Sequence, residues 1–438
     1  MKSTLKTYRY DNGEIQRVQW AEPDSWDEID FFKPVYSSDA FRKICNLYEN
    51  YIVPKCPWIF PRMILFTLPE GESNVLKTAE EIRKGVRVSA KERLHFADSK
   101  VRETVQSLIG QGCLKVVCGK CPWTKVLPVD KCIGFMSECE KEAKLKVNSN
   151  FFIMDCFDVA SKYDTIGTPL GLCVKDGLVL NPPLFDREAL LIYENGESKV
   201  CRVSLSKLKL RMGGKLFEDG KNCTFFSRPE YAKTPGLRKT KSITETVIVG
   251  NKVLDVVSTG KTQIPASGFV VRFADDCDVK VGDTVIYEGL ENVKFGIQVG
   301  NSIMADGRKT LGFNSKFFNI YRFYKETPFP PSLYPLDFDN ARAARIAIGA
   351  TKDGKPVILW AEGAGKLKYV PGEDSCGASL KEMAMICEDL RLENAVNLDG
   401  GGSAQILFKG KRDLLITDRN TSDNSEAERA VPLGLIVR

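Results

Sequence analysis

The feature that most constrains the fold is a repeated alternation that begins near residue 145. Short runs of β-branched and aromatic residues are separated there by Gly, Asp and Asn, a pattern that predicts strands joined by tight turns. The clearest runs are at 171–174, 246–249, 268–273, 284–287 and 345–348. We therefore expect an α+β fold whose β-rich, mixed-sheet domain occupies residues 145–438.

One helix in this half is well marked. Ser379 and Glu382 have the spacing of a capping box, in which each residue satisfies a backbone N–H of the other. Apolar residues then recur with helical periodicity at Leu380, Met383, Ala384, Cys387 and Leu390. A short strand over 395–398 is expected to follow and to lead into a glycine-rich loop.

Residues 1–140 have a different composition, rich in Cys, Trp and Pro. Helical periodicity predicts helices over 77–84 and 91–109. We expect a smaller N-terminal α/β extension here, and its sequence indicates no chemistry. A Pro-rich connection at 328–335 precedes the last block of the second domain.

The charge balance favours a small anionic ligand over a nucleic acid. The 438 residues carry 63 basic and 57 acidic side chains, a net charge of +6, and the charge is dispersed. The densest basic stretch, 207–211, alternates with Leu and predicts a strand with one solvated face. Nucleic acid is therefore not an expected partner, although the basic segment 238–241 keeps a nucleic-acid-associated module as a third possibility.

Two absences bear on location. The first ten residues contain no apolar segment typical of a signal peptide, and no run of about 18 apolar residues predicts a membrane span. We expect a cytoplasmic protein with no membrane partner. The sequence does not predict an oligomeric state.

The chain has 14 cysteines and one histidine. Most cysteines fit the role of small buried apolar residues. Cys118 and Cys121 form one C-x-x-C pair, whereas a structural zinc site needs four ligands, usually in two close pairs. Zinc and redox chemistry stay open as alternatives, but we expect no metal and no cofactor. A His-based general base would have to be His95.

The loop at 397–403 reads Asn-Leu-Asp-Gly-Gly-Gly-Ser. Three consecutive glycines adopt backbone angles closed to other residues, admit a substrate close to the main chain, and can aim N–H groups at an anion. Ser403 adds a hydroxyl. On these residues alone, a substrate site and a flexible turn with a capping Asp399 are both open.

This loop, with the segment 377–384 before it, resembles the phosphodiester glycosidase family. Further segments resemble that family in the same order along nearly 300 residues. They are 148–152, 167–171, 175–177, 264–270, 281–283, 345–349, 352–354, 428–429 and 433–437.

The resemblance implies a hydrolase that breaks the bond between a sugar anomeric carbon and a phosphodiester oxygen. Its partner would be a small-molecule sugar phosphodiester or a substrate like a nucleotide sugar. Carboxylates flank the scissile bond in most glycosidases. Because an acidic phosphate leaves easily, the main needs are a group that holds the phosphate and a carboxylate that acts on water or on the sugar.

The resemblance also implies roles for individual residues. Asp399 would be the base or nucleophile, Glu362 the second carboxylate, and Arg345 a phosphate ligand with the fork geometry that suits phosphate. The remaining expected substrate contacts are Asn148, Asn150, Gly400, Gly401, Gly402, Ser403 and Arg429. Each has a structural alternative: a loop cap for Asp399, a surface position for Glu362, turn hydrogen bonds for the asparagines, and ion pairs for the arginines.

Two departures from the family pattern motivate a second hypothesis. Ser149 and Asn150 replace two glycines, and Glu362 replaces an aspartate. The alternative function is therefore a catalytically altered member that binds and sequesters a sugar-phosphate or nucleotide-like ligand.

Overall fold

The computed structural model describes residues 1–438 except 56, 185–186, 229–230, 237–242, 275–276, 311–340, 366–368, 420–422 and 424. Strands dominate the described residues and helices are few, so the predicted β-rich α+β class is confirmed. The Pro-rich connection at 328–335 and the basic segment at 238–241 lie outside the described residues. The α-helices found in the described part are α1 (Ser38–Leu47), α2 (Val53–Lys55), α3 (Val75–Gly85), α4 (Ser99–Gly110) and α5 (Leu380–Asp389).

The largest sheet is antiparallel and combines strands from both ends of the chain. Its spatial order is β1 (Lys2–Arg9), β2 (Ile15–Glu22), β25 (Pro356–Ala361), β24 (Arg345–Thr351), β26 (Leu392–Asn397), β22 (Ser302–Ala305) and β23 (Arg308–Lys309). Alternate residues of the central strands enter two different cores, as the two-residue period of a strand requires. Ala347 and Leu359 pack with Met383 of α5, whereas Ile346 and Trp360 pack into the main core on the other face.

A second antiparallel sheet contributes to the same main core. Its order is β27 (Ile406–Phe408), β9 (Leu145–Asn148), β28 (Gly434–Val437) and β3 (Ile29–Phe32). Val147 and Ile436 are fully buried in the cluster that also holds Ile346 and Trp360. The end of β9 is therefore close to the ends of the central strands of the larger sheet.

The middle of the chain builds three further sheets. One has the order β11 (Leu178–Asn181), β10 (Cys173–Lys175), β21 (Val293–Ile297), β12 (Glu188–Tyr193) and β13 (Ser198–Arg202). The others have the orders β15 (Lys215–Glu218), β14 (Lys209–Met212), β20 (Ile286–Glu288), and β16 (Cys223–Ser227), β19 (Gly268–Phe273), β17 (Glu245–Val249), β18 (Lys252–Val257). Buried residues of all three sheets share one core cluster.

A small α/β unit lies in the N-terminal part. Its three-stranded sheet has the order β7 (Leu114–Cys118), β4 (Pro61–Phe66) and β8 (Cys121–Pro128), and β4 pairs with β8 in parallel. The hairpin of β5 (Val86–Val88) and β6 (Leu94–Phe96) adjoins it, and α3 and α4 pack against it in a separate core. The remaining short helices are 3-10 turns at Trp26–Glu28, Met136–Glu138, Leu205–Lys207 and Gly401–Ser403, and a π-helical turn at Tyr48–Ile52.

Strand pairing crosses the predicted domain boundary at residue 140. Strand β2 pairs with β25, and β3 pairs with β28, so residues 2–32 are built into the sheets of the second half. Helix α1 also packs into the main core. The reason is physical: these strands bury apolar side chains against distant residues, which composition along the chain does not reveal.

Most predicted elements of the second half are found. The strand predicted at 268–273 is β19, the helix after Ser379 is α5, and the strand before the glycine loop is β26. The helix predicted over 77–84 is α3. The single helix predicted over 91–109 is wrong at its start, because β6 occupies part of that range and Asp98 caps a helix that begins at Ser99. Among the described residues no helix has the length and apolarity to cross a membrane.

We expect Ser379→Ala to lower the free energy of unfolding by about 1 kcal/mol, because it removes an N-cap. The Ser379 Oγ accepts from the Glu382 N–H, and the Glu382 carboxylate accepts from the Ser379 N–H at 2.8 Å. Urea denaturation measures the effect of Ser379→Ala. The control is Ser38→Ala, at the exposed first residue of α1. Equal stability of the two variants would show that the capping box contributes nothing.

Candidate active site

Three neighbouring strands of the large sheet end at the same edge. Arg345 opens β24 and pairs with Ala361, the last residue of β25. On its other side β24 pairs with β26, with Ala347 opposite Asn397 and the Leu398 N–H donating to the Ile346 carbonyl at 2.8 Å. Asp399 follows directly, and Glu362 follows Ala361. The fold therefore brings Arg345, Asp399 and Glu362 to one edge of the sheet.

The glycine loop turns sharply over this edge. Gly401 has a φ of +60°, in the left-handed region that favours glycine, and its N–H donates to the Ala344 carbonyl at 2.8 Å. Gly401–Ser403 then form a 3-10 turn. The loop is thus fastened to the backbone immediately before Arg345.

Gly402 is packed against an arginine–aspartate pair. The Arg429 Nε donates to Asp418 Oδ2 at 2.7 Å, and its Nη2 donates to Asp418 Oδ1 at 3.0 Å. A Cβ at Gly402 would overlap both Arg429 Nη2 and Asp418 Oδ1. The Arg429 Nη1 points toward Ser403 Oγ at 3.4 Å and Met154 Sδ at 3.7 Å. Arg429 therefore lies on the loop, and its fork is occupied by Asp418.

A segment at 415–419, here called the strap, crosses the same sheet edge. Its first residue, Leu415, donates its N–H to Glu362 Oε1 at 2.7 Å. Asp418 lies over Gly402 through its pair with Arg429. Arg419 donates from Nε to the carbonyl of Gly365, in the turn that follows Glu362. The strap thus joins the continuation of β25 to the glycine loop.

Asp399 is 8% exposed and its main chain is held on both sides. Its N–H donates to the Ser149 carbonyl at 2.8 Å, and its carbonyl accepts from Asn148 Nδ2 at 2.9 Å. The Asn148 Oδ1 accepts from the Gln405 N–H at 2.9 Å. Asn148 therefore bonds to the residues before and after the glycines and fixes where the Asp399 carboxylate is placed.

The two predicted sugar-binding asparagines are buried and bonded to main-chain groups. Asn148 spans the glycine loop. Asn150 donates from Nδ2 to the Leu170 carbonyl at 2.8 Å and accepts from the Cys173 thiol at 3.4 Å. These contacts agree with their structural alternative, and sugar contacts by either amide stay a prediction.

Glu362 is 2% exposed, and both of its carboxylate oxygens have partners. Oε2 accepts from Arg17 Nη1 at 3.1 Å, and Oε1 accepts from the Leu415 N–H. The position is therefore not the surface position of the structural alternative. Its carboxylate holds the strap to β2, and its catalytic role stays a prediction.

Arg345 is also buried. Its Nη2 donates to the Ala341 carbonyl at 2.8 Å, and its Nε donates to the Ala378 carbonyl at 3.2 Å, just before α5 begins. The guanidinium is thus held at the sheet edge by backbone groups. Its role as a phosphate ligand is untested by these contacts.

Residues outside the predicted set also contribute to the site. Asp418 and Arg17 hold Arg429 and Glu362, and no sequence spacing identifies an ion-pair partner in a loop. Asp155 follows Met154, which contacts Arg429, and it is 2% exposed. Its Oδ1 accepts from the Phe157 N–H at 2.9 Å, Oδ2 has no partner in the described structure, and burial raises the pKa of this carboxyl.

The alternatives for metal and thiol chemistry can be placed as well. Across the described ranges, no group of three or more His, Cys, Asp or Glu side chains could hold a metal ion. Cys121 donates its thiol to the Trp58 carbonyl at 2.6 Å, and burial raises the pKa of Cys118 to about 11. His95 is exposed in β6, opposite Arg87.

We expect Gly402→Ala to lower the free energy of unfolding by about 1–3 kcal/mol, because the added methyl overlaps the Arg429–Asp418 pair. Gly110→Ala is the matched control, since a Cβ there meets no atom within 4 Å and alanine favours the end of α4. Urea denaturation of both variants measures the contrast. Similar stabilities would show that the pair moves aside at no cost.

We expect Asp155→Asn to stabilise the protein at neutral pH and to have little effect below about pH 4. A buried carboxyl with a raised pKa binds its proton more tightly in the folded state, so its stability contribution is lost as pH rises through that pKa. Asparagine mimics the protonated form and escapes this loss. Unfolding measured from pH 4 to 8 tests this, and a pH-independent difference would contradict it.

Comparisons with known proteins agree with the position of the loop. A family model described as phosphodiester glycosidase matches residues 232–438. The N-acetylglucosamine-1-phosphodiester alpha-N-acetylglucosaminidase of Mus musculus is 34% identical over 73 residues, which is 17% of this chain and 13% of the mouse protein. The matched part of the family model includes the glycine loop but not Asn148 and Asn150.

Two solved structures are similar over the whole of this chain. A hypothetical protein from Synechocystis has a TM-score of 0.42 at 16% identity, with 62% of that chain covered. The catalytic domain of the zebrafish N-acetylglucosamine-1-phosphodiester alpha-N-acetylglucosaminidase, auto-inhibited by its pro-peptide, has a TM-score of 0.39 at 12% identity, with 82% covered. The resemblance to the phosphodiester glycosidases is confirmed by the family match, and residues 232–438 are the part of this chain that carries it.

Proposed function

We propose that this protein hydrolyses the glycosidic bond between a sugar anomeric carbon and a phosphodiester, at the edge of the large sheet. The observation that carries the proposal is the meeting of Asp399, Arg345 and the glycine loop at the ends of adjacent strands. The family match over the same residues supports it. A site on strand ends held by packed neighbours is rigid enough for catalysis.

Asp399 is the carboxylate that we assign to the reaction. Glu362 binds Arg17 and the strap through its two oxygens, and we assign it to holding the strap in place. The Asp399 carboxylate would activate water or attack the anomeric carbon, the two established roles of a glycosidase carboxylate. Because the leaving phosphate is a weak base, the reaction needs little help from a general acid.

Arg345 is the assigned phosphate ligand at this edge, and Arg429 is assigned to position Gly402 and Ser403. Arg429 is assigned this positioning role because Asp418 binds its fork through two nitrogens. We propose a nucleotide sugar, a nucleotide signal or a glycosylated phosphate of a microbe or virus as the substrate.

The experiment is hydrolysis of a panel of sugar-1-phosphodiesters, including nucleotide sugars, with free sugar as the readout. We expect release by the wild type and a loss of at least about hundredfold in Asp399→Asn, since that change removes the reacting carboxylate. Asp353→Asn, at an exposed turn, is the matched control and should retain full activity. Equal rates for wild type and Asp399→Asn would remove Asp399 from the reaction.

A second function is favoured by a specific observation: Glu362, Asn148 and Asn150 are all committed to structural contacts. A site whose predicted second carboxylate and sugar-binding amides hold the fold together suits a protein that binds and sequesters a sugar-phosphate or nucleotide-like ligand. Saturable binding of a panel member without sugar release would favour this function over hydrolysis.

A further inference from the structure

The arginines near the sheet edge differ in what their guanidinium groups bind. Arg429 is bound to Asp418 through two nitrogens, and Arg345 donates to two backbone carbonyls. Arg419 of the strap is 9% exposed. Its Nε donates to the Gly365 carbonyl, and its Nη1 is 3.7 Å from Glu426 Oε1. Its Nη2 is buried and has no partner in the described part of the chain.

A buried guanidinium nitrogen without a partner is energetically costly, because it has lost water and gained no acceptor. Buried polar groups in folded proteins are nearly always hydrogen-bonded, so an orphan donor requires an explanation, and a bound ion is one. Thr417 Oγ1, two residues earlier on the strap, is also buried and unpartnered within the described residues. Two donors on one short segment therefore lack an acceptor.

The two donors lie beside the same backbone segment, 363–365. Thr417 Oγ1 is 2.8 Å from the position of a Cβ on Gly363, and Arg419 Nη2 is 3.0 Å from that of a Cβ on Gly365. A side chain at either glycine would crowd its donor.

The chemistry of the pair selects an oxyanion. A guanidinium nitrogen and a hydroxyl both donate to oxygen, and arginine is the residue that best matches phosphate geometry. Glu426 lies on the Nη1 side of the guanidinium, whereas Nη2 lies beside Gly365. The strap also carries Asp418, which connects this position to Arg429 and the glycine loop.

We propose that Arg419 Nη2 and Thr417 Oγ1, beside the segment 363–365, form a phosphate-binding subsite near the glycine loop. The subsite takes a phosphate oxygen, supplied either by free phosphate or by the phosphate of the substrate. Only the second source rests on the proposed function. In that case the phosphate of the bound substrate would lie against the strap.

Inorganic phosphate is the probe for the subsite itself. Calorimetric titration of the full chain should give saturable binding, weakened at least about tenfold in Arg419→Met and less in Thr417→Val, because a charge-assisted hydrogen bond is the larger loss. Arg211→Met is the matched control, since Arg211 pairs with Glu288 in a different sheet and should not alter binding. Absence of phosphate binding by the wild type, or equal affinity in Arg419→Met, overturns the subsite.

Folding is monitored by circular dichroism without phosphate. If Arg419→Met does not fold, Arg419→Lys and Thr417→Val decide, because lysine keeps the charge and loses the fork. The source of the phosphate is tested with a sugar phosphodiester that the wild type hydrolyses. For this substrate Arg419→Lys should raise KM by about tenfold or more, while kcat changes less.

The two proposals fail separately. Loss of phosphate binding in Arg419→Met, with no hydrolysis of any phosphodiester by the wild type, supports the subsite and removes the proposed function. Hydrolysis with an unchanged KM and unchanged phosphate affinity in the Arg419 variants keeps the function and removes the subsite.

Discussion

The site depends on the amide of Asn148. This side chain ends a strand of the four-stranded sheet, and it bonds to the carbonyl of Asp399 and to the N–H of Gln405. It thereby spans three glycines that could otherwise adopt many conformations. Asp399 also donates its N–H to the neighbouring Ser149 carbonyl. These hydrogen bonds join the glycine loop to the four-stranded sheet and hold the main chain at both ends of the three glycines.

The sequence predicts where individual strands and helices form better than it predicts which of them pair or pack together in the fold. The strand at 268–273 and the helix after Ser379 were predictable because periodicity and capping act within a few residues. The helix predicted from residue 91 starts later, since Asp98 provides a cap that outweighs the preceding pattern. Strands β2 and β3 pair with strands more than 300 positions away along the chain, and no local signal records such a partner.

The candidate site follows the same rule. The glycine loop and the Arg345 strand carry recognisable motifs, and the fold places them side by side. Asp418, Arg17 and the strap carry none, because an ion pair between loops depends on tertiary packing alone. Glu362 shows the limit of a motif: the residue type suggests chemistry, but its two oxygens are bound to Arg17 and Leu415.

The N-terminal part packs against the segment that carries Met154 and Asp155. Tyr48 donates its hydroxyl to the carbonyl of Met154, and Phe60 packs on Phe157 with ring centroids 5.6 Å apart. The segment that carries Met154 and Asp155 is therefore held from a region whose sequence shows no chemistry. A substitution that displaces Met154 from the N-terminal side would therefore also alter its contact with Arg429.

The pairing of β3 with β28 has a consequence for synthesis. Asp30 and Arg438, which are joined by an ion pair, are separated by 408 positions. A ribosome makes β2 and β3 long before their partner strands β25 and β28, which lie in the last third of the printed sequence. Until then these strands have open edges, which pair readily with other chains. Slow closure of long-range sheets makes this interval the time at which the nascent protein is most exposed to aggregation.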